Sequence, residues 1–274
     1  MSDAPARLVL DRPADALAAA ALLAAGTPVA HGFAGIYALT SRGVDVRQVN
    51  ALKGRPLDQT GSVTAPAGHV LDAFDLSALP PGVSPALVRD VVDAFTALGP
   101  FGFRGPAAGH VPAGLTATDG DTTTTQVIVP GDACPSQTFL AAASAAVGGE
   151  PLAISSANRS RHVTGGLDAP AHWQVDGLRA GLGGADLVIL EHADDEVARN
   201  RFPLHTTVST TILGLHHAER SNGRVHLVLE RHGSLHVTGV VAVLRELGLG
   251  LTVSPRATTR LVPRTYDLVG AAAG

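Results

Sequence analysis

Two short stretches of this sequence carry side chains that could bind a phosphate or a carboxylate. In the first, Lys53-Gly54-Arg55-Pro56, a lysine and an arginine lie two residues apart. The lysine offers a point charge and the arginine a planar fork, so together they could grip a polyphosphate. Basic residues also complement the carboxyl end of a helix, and this purely structural explanation stays open.

The second stretch is an apolar run, Leu152 to Ile154, followed by Ser155, Ser156 and Asn158. A buried strand that stops at such a cluster places hydroxyl and amide groups at a sheet edge, where ligands of open α/β sheets bind. These groups suit phosphate or carboxylate oxygens, or a sugar. The alternative is an Asn/Ser turn that satisfies its own backbone.

Helices and strands that would position these stretches alternate irregularly. An apolar stripe over residues 46–52 predicts a helix that delivers Lys53, and the glycines and prolines of residues 99–109 predict a loop. We predict strands over residues 8–10, 27–30, 36–39, 62–64, 122–129, 152–154, 186–190, 207–215, 225–229 and 249–253, and further helices over 14–25, 68–76, 85–98, 136–147 and 240–247. This irregular order favours a mixed α/β fold over a doubly wound sheet or a barrel.

Composition narrows the function classes only a little. The chain has 274 residues, of which 45% are hydrophobic, enough for a sizeable core. Its net charge of −4 provides no global attraction to nucleic acid, although a local basic groove remains possible. Cys134 is the only cysteine, which excludes an intrachain disulfide and a zinc site built on cysteines.

We expect a cytoplasmic protein without a membrane partner. The first ten residues lack a basic segment followed by an apolar core, so no signal peptide is predicted. The apolar run over residues 16–25 is too short to span a bilayer. A single cysteine also fits a reducing compartment.

The twelve histidines are scattered, and we expect most of them to lie at the surface. His216 and His217 are adjacent, so in a regular strand they would face opposite sides and could not easily share a metal ion. The sequence therefore predicts no metal site. His31 and His110 are left as open cases: His31 could act as a base or be merely solvated.

The order of the short motifs resembles the YrdC/Sua5 family, also called TsaC. The segments that match its motifs are Lys53-x-Arg55, Gly99-Pro100, Val127 to Pro130, Ser156-Ala157-Asn158, Thr206-Thr207-Val208 or Ser209-Thr210-Thr211, and Arg231-His232-Gly233. The resemblance implies a single domain over residues 1–254, with a twisted mixed sheet and a concave ligand-binding face, followed by a tail over residues 255–274.

The family's members are threonylcarbamoyl-AMP synthases, which use threonine, bicarbonate and ATP with Mg²⁺, release pyrophosphate, and serve the modification of tRNA at A37. The resemblance implies that Lys53 and Arg55 are catalytic and bind nucleotide phosphates. It gives phosphate contacts also to Ser156, Asn158 and Arg231.

Departures from the family pattern concern the amino-acid substrate. The family's Pro-Thr-Asp-Thr-x-Tyr-Gly-Leu signature falls on residues 32–39, where Phe33 and Gly35 replace the two threonines and Tyr37 is retained. Ile128 stands in place of the arginine of Val-Arg-x-Pro, and Arg161 in place of a glycine. A site that loses hydroxyls loses discrimination for a polar substrate. We therefore expect Phe33, Gly35 and Tyr37 to bind an amino acid or amine other than threonine.

Three alternatives remain. The first is ordinary threonylcarbamoyl-AMP synthesis with a rebuilt threonine pocket. The second is the formation of carbamoyl-adenylate from carbamoyl phosphate and ATP, with the carbamoyl transfer completed by a separate protein. The third is a non-catalytic homologue that binds double-stranded RNA or tRNA, against which the acidic net charge argues.

Overall fold

A computed structural model describes residues 7–160, 162–165, 170–182, 187–255 and 257. It contains a twelve-stranded sheet in which parallel and antiparallel neighbours are mixed, which confirms the predicted mixed α/β fold. Arg161 and the predicted strand start at residue 186 lie outside the described residues. So does most of the tail over residues 255–274, and the domain boundary at 254 stays a prediction.

The described helices are α1 (Pro13–Ala24), α2 (Val46–Lys53), α3 (Pro85–Leu98), α4 (Ser136–Ala146), α5 (Val175–Leu182), α6 (Asp195–Asn200) and α7 (Val237–Glu246). The strands are β1 (Leu8–Val9), β2 (Val29–Phe33), β3 (Ile36–Arg42), β4 (Ser62–Thr64), β5 (Phe101–Pro106), β6 (Thr116–Asp119), β7 (Thr122–Val129), β8 (Leu152–Ser156), β9 (Val188–Glu191), β10 (Ile212–Ser221), β11 (Arg224–Arg231) and β12 (Gly250–Val253). Their order across the sheet is β1-β9-β2-β3-β8-β4-β7-β5-β10-β11-β12, and β6 pairs with β7.

Helix α3 shows how local sequence sets the elements. Ser84 caps it by accepting a hydrogen bond from the backbone N–H of Leu87 at 3.1 Å, and Pro85 occupies its first turn, where a missing N–H costs nothing. Its apolar stripe is buried against the sheet. At 14 residues α3 is the longest described helix, and none in this part of the chain could cross a membrane.

Helices cover the two faces of the sheet unequally. On one face, α2 and α5 pack beside Tyr37 and Leu39, and α3 and α7 pack against β5, β7, β10 and β11. On the other face, α1 and α4 cover only the end of the sheet near β2 and β9. The rest of that second face, here called the concave face, carries an apolar cluster contributed by strands alone: Phe33, Ala38, Ile128, Ile154 and Ile212.

The predicted loop over residues 99–109 is wrong, because residues 101–106 form β5 between β7 and β10. Phe101 and Phe103 point into the core, and the Phe101 ring stacks on Phe95 with the centroids 4.1 Å apart. A Cβ atom at Gly102 would lie 2.8 Å from the Ile128 side chain. The glycines of this segment therefore reflect close packing between strands and not a loop.

The structure also differs from the predicted strand over residues 207–215, which corresponds to β10. The strand begins at Ile212, not at residue 207, and continues to Ser221. Gly214 of β10 pairs with Val228 of β11, and Ala218 pairs with Leu227, so β10 advances four residues where β11 advances one. This bulge breaks the strand alternation on which the prediction for His216 and His217 rested, and the two rings lie side by side with centroids 4.2 Å apart.

Other boundaries changed less. Residues 67–73 form a 3₁₀ helix where a short helix over residues 68–76 was predicted, and α5, α6 and β6 were not predicted. The prediction that most histidines are surface residues is wrong for His31, His192, His216 and His232, which are buried. Burial of a neutral imidazole is tolerated where the ring finds polar partners or aromatic contacts.

Replacing Phe101 by alanine tests the placement of β5. The cavity left beside Phe95 should lower the free energy of unfolding by about 3–5 kcal/mol. Leu57→Ala is the control, since Leu57 is 46% exposed and its loss should change stability by less than about 0.5 kcal/mol. Chemical denaturation of both variants measures the difference, and a small effect at Phe101 would contradict a buried central strand.

Candidate functional site

A cavity of about 220 Å³ opens on the concave face over β3, β8, β4 and β7, and residues 209–210 and the end of β11 border it. Its lining is mostly polar, with hydroxyl, amide and guanidinium groups. The lining residues are Phe33, Ile36, Ala38, Arg55, Gln59, Thr60, Ser62, Gln126, Ile128, Ile154, Ser155, Ser156, Ser209, Thr210 and Arg231. No aspartate or glutamate is among these described lining residues.

Two arginines give the cavity its positive charge. Arg55 follows Gly54, whose left-handed backbone (φ 66°) ends α2 and turns the chain toward the cavity. Within the part of the chain that the structure describes, the Arg55 guanidinium has no hydrogen-bonding or ion-pair partner. Arg231, at the end of β11, donates to the backbone oxygen of Thr210 at 2.7 Å and to its Oγ1 at 3.0 Å. Arg231 is thus held in place, whereas Arg55 is available to a ligand.

Lys53 lies behind the cavity wall and is only 1% exposed. Its ammonium group donates to the backbone oxygen of Ser156 and, at 3.1 Å, to Oδ1 of Asn158. Ser156 Oγ donates to the same Asn158 oxygen at 2.6 Å. The structure therefore brings together three of the predicted residues, although only Ser156 lines the cavity directly.

Electrostatics at this site disfavour positive charge. Burial lowers the pKa of Lys53 well below its usual value, and the nearby charges of Arg55 and Arg231 lower it further. Burial also lowers the pKa of Arg55. A bound anion would reverse these penalties, because opposite charge stabilises the protonated forms of all three side chains.

The floor of the cavity is apolar. Phe33, Ile128 and Ile154 pack together there, with Ala38 and Ile212 completing the cluster. Phe33 and Ile128 occupy positions where the family pattern has a threonine and an arginine. The cavity thus joins a cationic rim to an apolar floor, which suits a ligand with an anionic end and a hydrocarbon part.

Tyr37 and Gly35, two of the predicted substrate contacts, lie outside this cavity. Tyr37 is on the opposite face of β3, where its hydroxyl donates to Asp195 Oδ1 at 2.7 Å and accepts from the His192 N–H at 3.1 Å. Burial raises the pKa of Tyr37, and the bond to Asp195 raises it further. Gly35 borders a smaller cavity beside Pro100 and is packed against the backbone of Arg199.

Several solved structures share this arrangement of elements. P. abyssi Sua5 complexed with L-threonine superposes with a TM-score of 0.62 over 93% of this chain, at 17% identity. The chain has a YrdC/Sua5-like fold. It spans 62–63% of the length of the two P. abyssi Sua5 chains. E. coli YciO matches over 82% of this chain and 92% of its own, with a TM-score of 0.52 and 13% identity.

A further likeness is to full-length HypF in its phosphate- and nucleotide-bound form. That structure matches 80% of this chain and 29% of its own length, with a TM-score of 0.53 and 15% identity. No protein-family model and no curated protein matches the sequence. These likenesses establish the fold, and the cavity residues must be judged on their own geometry.

Sequence reasoning missed several polar residues of this YrdC/Sua5-like domain. Gln126 Nε2 donates to Ser62 Oγ at 2.7 Å between the neighbouring strands β7 and β4, and Gln59 and Thr60 also line the cavity. A usable signal was present at Gln126, where an amide interrupts the β-branched and apolar run of β7. Gln59 and Thr60 follow α2 in an irregular segment, and nothing in their local sequence marks them.

His31 and His110 now have clear locations. His31 is fully buried in β2, not in a loop; its Nε2 lies 2.8 Å from Thr40 Oγ1 and its ring contacts Phe139. His110 is exposed and borders a separate cavity near His69. Neither histidine lines the cationic cavity, so neither replaces the lost substrate groups there.

Buried His31 should make the fold sensitive to acid. Burial lowers its pKa from 6.5 to about 4, so the unfolded state takes up a proton before the folded state does. Its contribution to stability is complete above the unfolded pKa of 6.5 and is lost as the pH falls toward 4. Between about pH 7 and pH 5 this amounts to roughly 2 kcal/mol.

Urea denaturation at several pH values measures this loss. His31→Gln should reduce the fall in stability between these pH values without removing it, because His205 also has a pKa lowered to about 4 by burial. His110→Gln, at an exposed position, should leave the fall unchanged. Equal pH dependence in the His31 variant and the native protein would contradict a buried neutral His31.

Proposed function

We propose that this chain is an ATP-dependent nucleotidyltransferase that forms an adenylated carbamate from bicarbonate and an amino acid or amine other than threonine. The observation that carries the proposal is the cavity itself. Two guanidinium groups face a space whose described lining includes no acidic residue, and the buried Lys53 side chain lies behind them. Such a site is matched in charge to phosphate oxygens.

The proposed reaction has two parts. The acceptor nitrogen first takes up bicarbonate to give a carbamate, with loss of water. A carbamate oxygen then attacks the α-phosphorus of ATP, the bond to the β-phosphate oxygen breaks, and pyrophosphate leaves. Chemistry of this kind depends mainly on positioning and charge neutralisation. No general base is needed at the carbamate oxygen, because it is already an anion.

Four of the predicted site residues would have roles in this scheme. Arg55, unpaired on the rim, would bind triphosphate oxygens with its fork and neutralise the charge that moves onto pyrophosphate. Arg231, held by Thr210, would offer a fixed second cation. Ser156 would orient the carbamate or a phosphate by turning its hydroxyl from Asn158 Oδ1 toward the anion. Lys53, behind the cavity wall, would contribute the electrostatic field of its charge and would hold Ser156 and Asn158 in place.

Mg²⁺ would enter with the nucleotide. The described lining of the cavity has no carboxylate to hold the ion, but Mg²⁺ is commonly carried by substrate phosphates with few protein ligands. A cavity of about 220 Å³ is smaller than most ligand pockets. We therefore place only the reacting phosphate and the acceptor inside it, with the adenosine extending along the concave face.

The apolar floor points to the acceptor. Phe33 and Ile128 cannot hydrogen-bond the hydroxyl of threonine, and a polar substrate would leave that hydroxyl unpaired against hydrocarbon. An amine or amino acid with an aliphatic or aromatic side chain would instead bury that chain on the floor. This reasoning favours a less polar acceptor than the L-threonine bound in P. abyssi Sua5.

A second candidate uses the same cavity. Carbamoyl phosphate carries a phosphate dianion that the two arginines would also bind, and HypF, a structural neighbour, was solved with phosphate and nucleotide bound. In that case the chain would make carbamoyl-adenylate, and a separate protein would complete the transfer.

The deciding experiment follows ATP-dependent release of pyrophosphate. One series supplies bicarbonate with threonine, with apolar amino acids or with simple amines, and a separate reaction supplies carbamoyl phosphate. Release with an apolar acceptor supports the proposal, and release only with carbamoyl phosphate supports the second candidate. Release with threonine alone, or no release and no ATP binding, would contradict both. RNA binding with steep salt dependence would then favour the non-catalytic alternative.

Arg55→Ala tests the cationic rim. Loss of a charge-assisted hydrogen bond costs about 1.5–3 kcal/mol, which lowers kcat/KM for ATP by about 10- to 150-fold. Arg47→Ala is a matched control, because Arg47 lies exposed on α2 and does not line the cavity. An equal loss in both variants, or none in either, would remove Arg55 from the phosphate site.

Ile128→Ala tests the apolar floor. Removing three carbons from the floor should lower kcat/KM for the best apolar acceptor by at least about 10-fold, while KM for ATP stays the same. Steady-state kinetics with each substrate varied in turn measures the two effects separately. A change in KM for ATP with no change for the acceptor would place the acceptor elsewhere.

A further inference from the structure

A second group of polar side chains lies on the concave face, beyond the cationic cavity. Asp119, at the end of β6, and His216 and His217, in the bulge of β10, each offer a ligand atom, and these atoms all lie within 4.8 Å of one another. Nε2 of His216 is 3.2 Å and Nε2 of His217 is 3.7 Å from Oδ2 of Asp119. Ligands at about 2.0–2.2 Å around a tetrahedral zinc ion stand roughly 3.3–3.5 Å apart.

The bulge is what makes this cluster. In a regular strand, adjacent side chains point to opposite faces of the sheet. Here β10 inserts three residues between its pairs with Val228 and Leu227, so Leu215 enters the core and both imidazoles lie near Asp119. Bulges that re-aim side chains are often found next to functional sites.

The hydrogen bonds of the His216 ring are compatible with a metal-binding histidine. Nδ1 of His216 lies 3.2 Å from the backbone oxygen of Arg104, and a carbonyl oxygen can only accept, so Nδ1 carries the proton. Nε2 of His216 lies 3.2 Å from Oδ2 of Asp119, and a protonated ring would donate to that carboxylate. In a neutral ring the same nitrogen would offer its lone pair to an ion held between the two side chains. Donation of the other ring N–H to a backbone carbonyl is the usual arrangement of metal-binding histidines.

Surrounding charges also favour a cation. Glu230 is nearly buried, and its Oε1 lies 4.0 Å from Nε2 of His216. Arg104 lies 3.6 Å from both Asp119 and Glu230 and compensates one of the two carboxylates. One negative charge therefore remains beside the two imidazoles. Glu230 is close enough to serve as a further ligand after a small side-chain movement.

We propose that His216, His217 and Asp119 bind a divalent transition-metal ion of the Zn²⁺ type, with Glu230 available as a fourth ligand. Two imidazoles with carboxylates suit Zn²⁺, Fe²⁺ or Co²⁺, whereas Mg²⁺ and Ca²⁺ prefer oxygen ligands alone. His217 has a half-exposed side chain, so the ion can enter from solvent. The proposal does not depend on the proposed function of the cationic cavity.

The metal site shares a sheet surface with that cavity. Arg104 of β5 pairs with Gln126 of β7, and Gln126 lines the cavity. The ion would also connect β6 to the bulge of β10, two segments that the sheet does not pair directly. Its binding should therefore stabilise the fold, with a gain that rises as the logarithm of the free metal concentration above the dissociation constant.

The test is metal binding to the full-length protein after treatment with a chelator. Zn²⁺ titration by calorimetry, and Co²⁺ titration followed by visible absorption, should both give one ion per chain that an excess of Mg²⁺ does not displace. His217→Ala and Asp119→Asn should each weaken Zn²⁺ binding by more than about 100-fold, since loss of an outer-shell partner alone costs roughly 10- to 100-fold. Both positions are partly exposed, so these variants should fold.

His69→Ala is the matched control, because His69 forms an exposed pair with Asp72 away from the cluster. It should bind Zn²⁺ like the native protein, and circular dichroism checks that every variant is folded. The proposal is overturned if the native protein shows no saturable site. It is also overturned if His217→Ala and Asp119→Asn bind Zn²⁺ as tightly as His69→Ala does, since the cluster would then be an ion pair without a metal.

Discussion

The candidate site depends on one buried ammonium group. Taking a lysine charge out of water costs several kcal/mol unless it finds good acceptors, and Lys53 finds the backbone oxygen of Ser156 and the side-chain oxygen of Asn158. Because Lys53 is the last residue of α2 and Ser156 the last of β8, these bonds hold the helix end against the strand end. The left-handed Gly54 that follows then turns Arg55 into the cavity. The contacts of Lys53, which lie outside the cavity, thus position Arg55, one of the two arginines that make the cavity positive.

Local sequence was enough to single out residues that the structure brings together here, although their phosphate-binding role stays a prediction, and it was not enough elsewhere. Lys53, Arg55, Ser156 and Asn158 stand out because an apolar helix stripe and an apolar strand each end in polar groups, and the structure brings those ends together. The same reasoning gave a wrong prediction for β5. Its glycines resemble turn residues in the sequence, and only the packing of Ile128 against Gly102 and of Phe74 against Gly105 explains their presence. The bulge in β10 arises from its pairing with β11, and the sequence of β10 alone does not reveal that pairing.

Strand alternation explains why the diverged signature of residues 32–39 splits between two faces. Phe33 ends β2 on the concave face and reaches the cavity, while Tyr37 points to the other face and is tied to Asp195. The turn between them places Ala34 at φ 52°, a left-handed conformation that costs an alanine about 1 kcal/mol or more. Tyr37 therefore supports the fold, whereas Phe33 shapes the cavity.

Charge is distributed unevenly along the concave face. Arg55 and Arg231 make one end positive, whereas Asp119 and Glu230 at the other end exceed the charge of Arg104 between them. A polyanion such as an RNA backbone laid along the whole face would gain at the first end and be repelled at the second. A compact anion with an apolar part avoids that cost by staying in the cavity. A divalent ion at the histidine cluster would remove the repulsion, and the choice between a small anionic ligand and an extended one would then depend on the metal.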